Sequence, residues 1–316
     1  MKNKQKFSYD LNNLSVWVDE NATDMLIKSI LGEVLPKYAT IRPNIKGTQK
    51  VGFLTNDVIF QDGSCGFNAS GDTTIDQVTI ATCNKRVNQS LCPYDLYDYF
   101  LSQRLSNSNF QESVPFEELV MQDISNRIAN EIEKQLWRNN TGTGATQYDN
   151  ACFDGAIRLI TSGNGATQVT YTAATSSNGL DVFSKYYENI PANVAHRNDL
   201  VAFCSYSDYR GLVASMRNQS YVNLFDFNDK SAAQGQEWGV ILPASNLRII
   251  PTQGLDGQNK VYVGPSSYYM VGMNATEDGG IDIKGMYDPY QDVVKIMARM
   301  VYGLGVFSVD SFVVAR

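Results

Sequence analysis

The sequence predicts a mixed α+β chain, and three observations carry that prediction. Residues 49–84 alternate apolar and polar side chains around a turn-rich centre, the pattern of one long β-hairpin. Residues 115–138 repeat apolar side chains at helical spacing without interruption. Residues 180–216 then read helix, strand, helix, the order of an α/β layer.

In the hairpin, Val51, Phe53, Val58 and Phe60 mark the outgoing strand, and Val78, Ile80 and Thr82 mark the return. Between them, Gln61 to Asp72 is rich in Gly, Ser, Asn and Asp, the residues that turn chains. A two-stranded ribbon is marginal by itself, so this one needs a surface to lie on, either its own domain or a neighbour. That need marks Phe60, Cys65 and Phe67 as candidate contacts with a neighbouring subunit.

The long helix begins at Pro115, well placed at the first helical position, with Glu117 and Glu118 at the positive end of the dipole. Phe116, Val120, Ile124, Ile128, Ile132 and Leu136 follow at intervals of four, and Asp123 and Arg127 form an i,i+4 pair. At 1.5 Å per residue the helix spans about 35 Å. Strict four-residue steps drift around an ideal helix, so the apolar stripe winds and meets more than one partner. Ile124 and Ile128 are taken as candidate inter-subunit contacts on that stripe.

The remaining elements read as follows. Residues 1–20 form an extended arm. A short helix follows, capped by Asn21 or Thr23 and stopped by Pro36, and Tyr38 to Ile45 is extended with Pro43 favouring an edge. Pro93 to Leu105 is a short aromatic helix, and Asn139 to Tyr148 a flexible loop. Leu180 to Ile190 is a helix capped by Ser177 or Asn178, Leu200 to Cys204 a buried strand, and Ser207 caps the next helix. Arg217 to Trp238 is a long polar loop whose aromatics, Tyr221, Phe225 and Trp238 among them, are candidate self-contacts around a symmetry axis. Strands return at Leu247–Ile250, Val261–Val263 and Tyr268–Val271. Asp292–Tyr302 and Gly305–Val314 are buried strands, with Gly303 and Gly305 at the turn between them.

Composition narrows the function classes. Of 316 residues, 43% are hydrophobic and 19% charged, with a formal net charge of −7, so general nucleic-acid binding through clustered cations is not expected. The exception is Lys2, Lys4 and Lys6, which read either as a solvated terminus or as a tail touching packaged nucleic acid or an assembly partner. Met1 to Asn13 lacks the apolar core of a signal peptide, and no apolar run is long enough to span a membrane, so a reducing cytosol is the expected compartment. The five cysteines, Cys65, Cys83, Cys92, Cys152 and Cys204, include no C-x-x-C pair, and the single histidine, His196, lies in a polar stretch. No phosphate-binding loop, zinc-protease motif or nucleophile elbow is present; no cofactor, no metal site and no enzymatic activity are expected.

The order of elements carries more than any motif. Arm, long hairpin, long helix, α/β layer with a polar loop and a terminal return resemble the major capsid protein of tailed double-stranded-DNA bacteriophages, the Hong Kong 97 type. The resemblance covers the whole chain. Residues 1–37 resemble the arm, 49–84 the extended loop and Pro115–Arg138 the spine helix, with Phe153-Asp154-Gly155-Ala156-Ile157 resembling the landmark that follows it. Leu180–Pro191, Leu200–Met216, Ile249-Ile250-Pro251 and Val261–Gly264 resemble successive phrases of the axial domain, and Tyr287-Asp288-Pro289 and Val306–Val314 the closing segment. The resemblance implies an arm at 1–37, a peripheral domain at 38–48 and 85–178, an extended loop at 49–84, an axial domain at 179–284 and a return to the peripheral domain at 285–316.

It also implies a mechanical role. Hexamers and pentamers would build an icosahedral head around double-stranded DNA, assembled in the host cytoplasm, with a portal protein and separate scaffolding and head-decoration proteins as partners and no membrane. The arm is too short for a cleavable scaffolding region, and the segment from Val51 to Asn84 contains no lysine for the covalent cross-link some members make there. Cys65, at the hairpin tip, reads as a small residue against a neighbouring subunit or as one half of an inter-subunit disulfide, with Cys152 a candidate partner. Two rival readings stand beside this one: an encapsulin-like shell of the same fold with protein cargo, and a cysteine-dependent hydrolase using Cys152 or Cys204 with His196.

Overall fold

The computed structural model describes residues 23–56, 59–60, 63, 70–92, 116–144, 146–149, 151–162, 165–218, 239–274, 281–288, 290–291 and 293–316. The arm before residue 23, the Pro93–Leu105 helix and the hairpin tip around Cys65 and Phe67 lie outside them. So does the loop bearing Tyr221, Phe225 and Trp238.

Helix α1 (Thr23–Gly32) ends at Gly32, and α2 (Val34–Tyr38) carries on one residue later. Pro36 therefore does not stop the helix. It lies in the first turn of α2, where the missing N–H would be unpaired anyway. Strand β1 (Thr40–Pro43) is an edge strand, as Pro43 requires.

The hairpin consists of β2 (Thr48–Asn56) and β3 (Thr73–Leu91), in the register Val51↔Val78, Phe53↔Asp76 and Leu54↔Ile75. β3 changes partners along its length. Thr73–Ala81 pair with β2, and Ala81–Leu91 pair with β11 (Val293–Val306). The first sheet has the order β1-β9-β11-β3-β2, with β9 spanning Tyr269–Asn274, and β10 (Asp282–Asp288) pairs with β11 beside it.

Gly303 and Gly305, expected at a turn, lie inside β11. A Cβ at Gly303 would overlap the Ala81 carbonyl, so glycine here permits close packing of β3 on β11 and makes no bend. After β11 a single turn of 3-10 helix (Val309–Ser311) leads to β12 (Val313–Ala315). β12 joins the second sheet, ordered β4-β12-β8-β5-β7-β6, where it pairs with β4 (Thr167–Val169) and β8 (Val261–Pro265). The other three strands are β5 (Leu200–Cys204), β6 (Val240–Ile241) and β7 (Arg248–Pro251). The boundary expected at residue 284 thus does not follow sheet membership, since β9 belongs to the first sheet and β12 to the second.

Helix α3 (Phe116–Arg138) is continuous over the expected span, and Asp123 pairs with Arg127 at 2.8 Å. Its stripe winds past several partners. Met121, Ile124, Ile128 and Ile132 share one core with Leu26 and Ile30 of α1 and with Ile296, Ala298 and Met300 of β11. At the far end Trp137 meets Phe203 of β5 at 5.2 Å, Tyr262 of β8 at 5.8 Å and Tyr269 of β9 at 5.9 Å between ring centroids. One aromatic ring thereby joins both sheets.

Helix α4 (Ala156–Ser162), short α6 (Ala192–Ala195), and α5 (Gly179–Glu188) with α7 (Tyr206–Asn218) are the other α-helices among the described residues. α5 and α7 cover a second core with Phe183, Tyr186, Leu212 and Met216. The cap of α7 is Ser205, not Ser207. Its Oγ accepts the Asp208 N–H at 3.1 Å, and its hydroxyl donates to Asp208 Oδ2 at 2.8 Å.

Candidate assembly surface

The hairpin is where the fold leaves apolar surface uncovered. One face of the ribbon carries Val51, Phe53, Val78 and Ile80, packed at its root on Ile45, Met270 and Phe307. Phe53 and Phe307 have ring centroids 4.4 Å apart. The opposite face presents Leu54 and Ile75 directly across from one another, 62% and 68% exposed; Phe60, after the end of β2, is 96% exposed. Cross-strand apolar pairs stabilise a sheet only when something covers them, and the described residues supply no cover here. Between Thr73 and Ile80, β3 pairs with β2 and not with β11.

A root this thin has to be anchored, and two interactions do so. Thr82 Oγ1 donates to the Gly47 carbonyl at 2.9 Å, tying the ribbon base to the turn before β2. Cys83, one residue on, is disulfide-bonded to Cys152. The Cys65–Cys152 pairing considered from sequence therefore gives way to a bond within the subunit. Cys152 lies in the segment after α3, which is ordered rather than slack. Asn140 N–H donates to Tyr148 O, Ala151 N–H to Asn140 O and Gly155 N–H to Asn139 O, each at 2.8–2.9 Å. The Asp149 carboxylate accepts from Thr146 and Asn140, which hold its pKa down.

Deeper inside, α3 carries a wholly buried carboxylate. Glu133 accepts hydrogen bonds from Leu35 N–H at 3.0 Å, Trp137 Nε1–H at 2.9 Å and the Thr252 hydroxyl at 2.6 Å. Burial raises its pKa against the opposing pull of those three donors. Glu33, between α1 and α2, is raised to about 7 by burial and by the neighbouring Glu133 charge. These groups fasten α2, α3 and the turn after β7 together.

Of the residues chosen from sequence as inter-subunit contacts, Phe60 is fully presented to solvent. Ile124 and Ile128 are instead buried in the subunit's own core, which leaves almost nothing of either side chain for a neighbour. Cys65, Phe67, Tyr221, Phe225 and Trp238 lie outside the described residues. Leu54 and Ile75 were missed. Each was visible as an apolar residue on the wrong phase of its strand, but only the register shows that the two face each other. Met286 and Tyr290, around the end of β10, are also exposed.

Among the described residues the cysteines named for a hydrolase are not set up with the histidine. Cys204 is wholly buried and its thiol pKa pushed well up, Cys152 is bonded, and His196 is an exposed residue at the end of α6. Among the described residues no cluster of His, Cys, Asp or Glu could hold a metal ion, and no helix is long and apolar enough to cross a membrane.

No protein-family model matches the chain, and no curated protein matches it in sequence. Solved structures do match in fold. A chain of the satellite phage P4 procapsid, a structure that includes the size determination (Sid) protein, has a TM-score of 0.58 at 10% identity, covering 93% of this chain and 98% of that one. The capsid of Myoviridae phage XM1 matches with a TM-score of 0.54 at 10% identity, over 88% and 89% of the two chains. The virus-like particle from Pyrococcus furiosus matches at 0.52 and 12% identity, over 94% and 98%. The fold is that of the Hong Kong 97-type phage capsid proteins, a mixed α and β architecture matched over nearly the full length.

Proposed function

We propose that this chain is the major capsid protein of a tailed bacteriophage, a shell subunit that assembles into the head around double-stranded DNA. The observation that carries the reading is the match of the fold to phage capsid chains over 93% and 88% of this chain, taken with the exposed Leu54–Ile75 pair on the ribbon. Hexamers and pentamers are the expected capsomers, with the ribbon lying across the next subunit. Portal, scaffolding and head-decoration proteins are the expected partners, and the packaged DNA is met without sequence preference. Assembly would take place in the host cytoplasm and the mature protein would reside in the virion. Burying Leu54, Ile75 and Phe60 against a neighbour supplies association energy at about 25 cal/mol per Å² of apolar surface.

The fold match to the Pyrococcus furiosus virus-like particle favours a second reading, a shell enclosing protein cargo. Both readings require self-assembly and differ in contents. Sedimentation of the purified full chain tests the shared part: particles of many subunits support it, and a monomer at every concentration overturns it. Ultraviolet absorbance and mass spectrometry of particles isolated from the native host then separate DNA contents from protein cargo.

A further inference from the structure

The Cys83–Cys152 bond lies at the junction of three elements. Cys83 is half-buried on β3, two residues past the point where β3 leaves β2 for β11, and its register partner on β11 is Tyr302. The Tyr302 ring is stacked edge-on by Phe153, centroids 5.6 Å apart, and its hydroxyl donates to Gln135 of α3 at 2.6 Å. Cys152, the neighbour of Phe153, is exposed. The Cα atoms of the two cysteines are 6.2 Å apart, inside the span a disulfide bridges. The ring contact and the Gln135 bond are non-sulfur interactions that hold the neighbours of both cysteines together at this junction.

We propose that Cys83 and Cys152 form a thiol–disulfide exchange site, open while the chain folds in a reducing compartment and closed by a low-molecular-weight organic disulfide in an oxidising one. The exposed Cys152 thiolate attacks one sulfur of that disulfide. A mixed disulfide forms on Cys152 and one small thiolate leaves. The Cys83 thiolate then attacks the Cys152 sulfur and expels the second small thiolate. Two protein thiols are oxidised by two electrons, one small disulfide is reduced to two thiols, and the two protons pass to the leaving groups.

The bond closes a loop of 69 residues, and that loop contains the whole of α3. Once it is shut, the segment that follows α3 is tied covalently to β3 of the first sheet, which limits how far α3 can move from that sheet. Cys204 provides an internal control, because it is wholly buried and out of reach of any oxidant in the folded chain. The inference does not depend on the chain building a shell.

The test uses the purified full chain, equilibrated in buffers of stepped reduced-to-oxidised glutathione ratio, quenched with an alkylating agent and mapped by mass spectrometry. The expected result is a peptide pair joining Cys83 to Cys152 in oxidising buffer, free and alkylated at both residues in reducing buffer. Cys204 becomes alkylatable only on unfolding. Closing the bond should raise the folding equilibrium constant roughly thirty- to a thousandfold in denaturant titrations. Cys152→Ser should abolish that redox dependence. Two free thiols in buffers that modify Cys92, a bond between other cysteines, or oxidised and reduced wild-type protein of equal stability would each overturn the proposal. Comparing the wild type in its two redox states keeps the test decisive even if a variant folds poorly.

Discussion

The Thr252 hydroxyl donates a 2.6 Å hydrogen bond to the buried carboxylate of Glu133, joining the turn after β7 to α3 across 119 residues of sequence. The same carboxylate takes the Leu35 N–H and the Trp137 indole N–H, so one side chain collects donors from three parts of the chain. Glu133→Ala would leave all three donors buried and unpaired. The expected loss is more than about 3 kcal/mol, whereas Thr252→Val, which removes one hydroxyl, should cost about 1–3 kcal/mol. Urea unfolding of both variants checks the order. Equal, small effects would contradict the role of this carboxylate.

Glu33 makes the stability of α1 and α2 depend on pH. In the folded chain it holds its proton up to about pH 7, compared with 4.5 for an unperturbed glutamate. The folded state therefore binds more protons than the unfolded state between those values, and stability falls as pH rises. The contribution is fully present below pH 4.5 and lost as pH passes 7. Glu33 is partly exposed, so solvent screening reduces the effect to about 1 kcal/mol. Glu33→Gln should flatten the melting temperature between pH 5 and pH 8. An unchanged slope would remove Glu33 as its source.

Ile124→Asp or Ile128→Asp should destabilise the isolated subunit by about 3 kcal/mol or more, because each places an unpaired charge in the core shared by α1, α3 and β11. Thermal melting of the variants under conditions that keep the chain monomeric checks this. A defect confined to assembly would instead mark these residues as contacts between subunits.

Leu54→Ser combined with Ile75→Ser should do the reverse. Both side chains are mostly exposed in the subunit, so its melting should change by less than about 0.5 kcal/mol. Assembly, followed by light scattering, should weaken sharply. Equal assembly of variant and wild type would show that this ribbon face stays uncovered.

Much of the fold was legible because its signals are local. α3 and the hairpin announce themselves through period-four and period-two spacing over long stretches; the helix matches its expected span, whereas β2 stops at Asn56, short of Val58 and Phe60, and β3 runs on to Leu91 because β11 takes over as its partner. What stayed hidden depends on distant partners. Gly303 and Gly305 read as a turn because only the Ala81 carbonyl, far back on β3, shows why a side chain is excluded there. Glu133 carries no local signal of its burial, which comes from Thr252 and Leu35 closing over it. Pro36 reads as a stop because nothing in the sequence sets the one-residue break at Glu33 that restarts the helix. Of the candidate surface, the sequence singled out Phe60, which is exposed; Leu54 and Ile75 required the register, and Ile124 and Ile128 are buried in the subunit's own core.

Cryo-electron microscopy of the purified full-length protein tests the central claim most directly. The expected result is a closed shell in which the face of the ribbon bearing Leu54 and Ile75 lies on a neighbouring subunit. Monomers alone, or a ribbon folded back to cover that face on its own subunit, would contradict it.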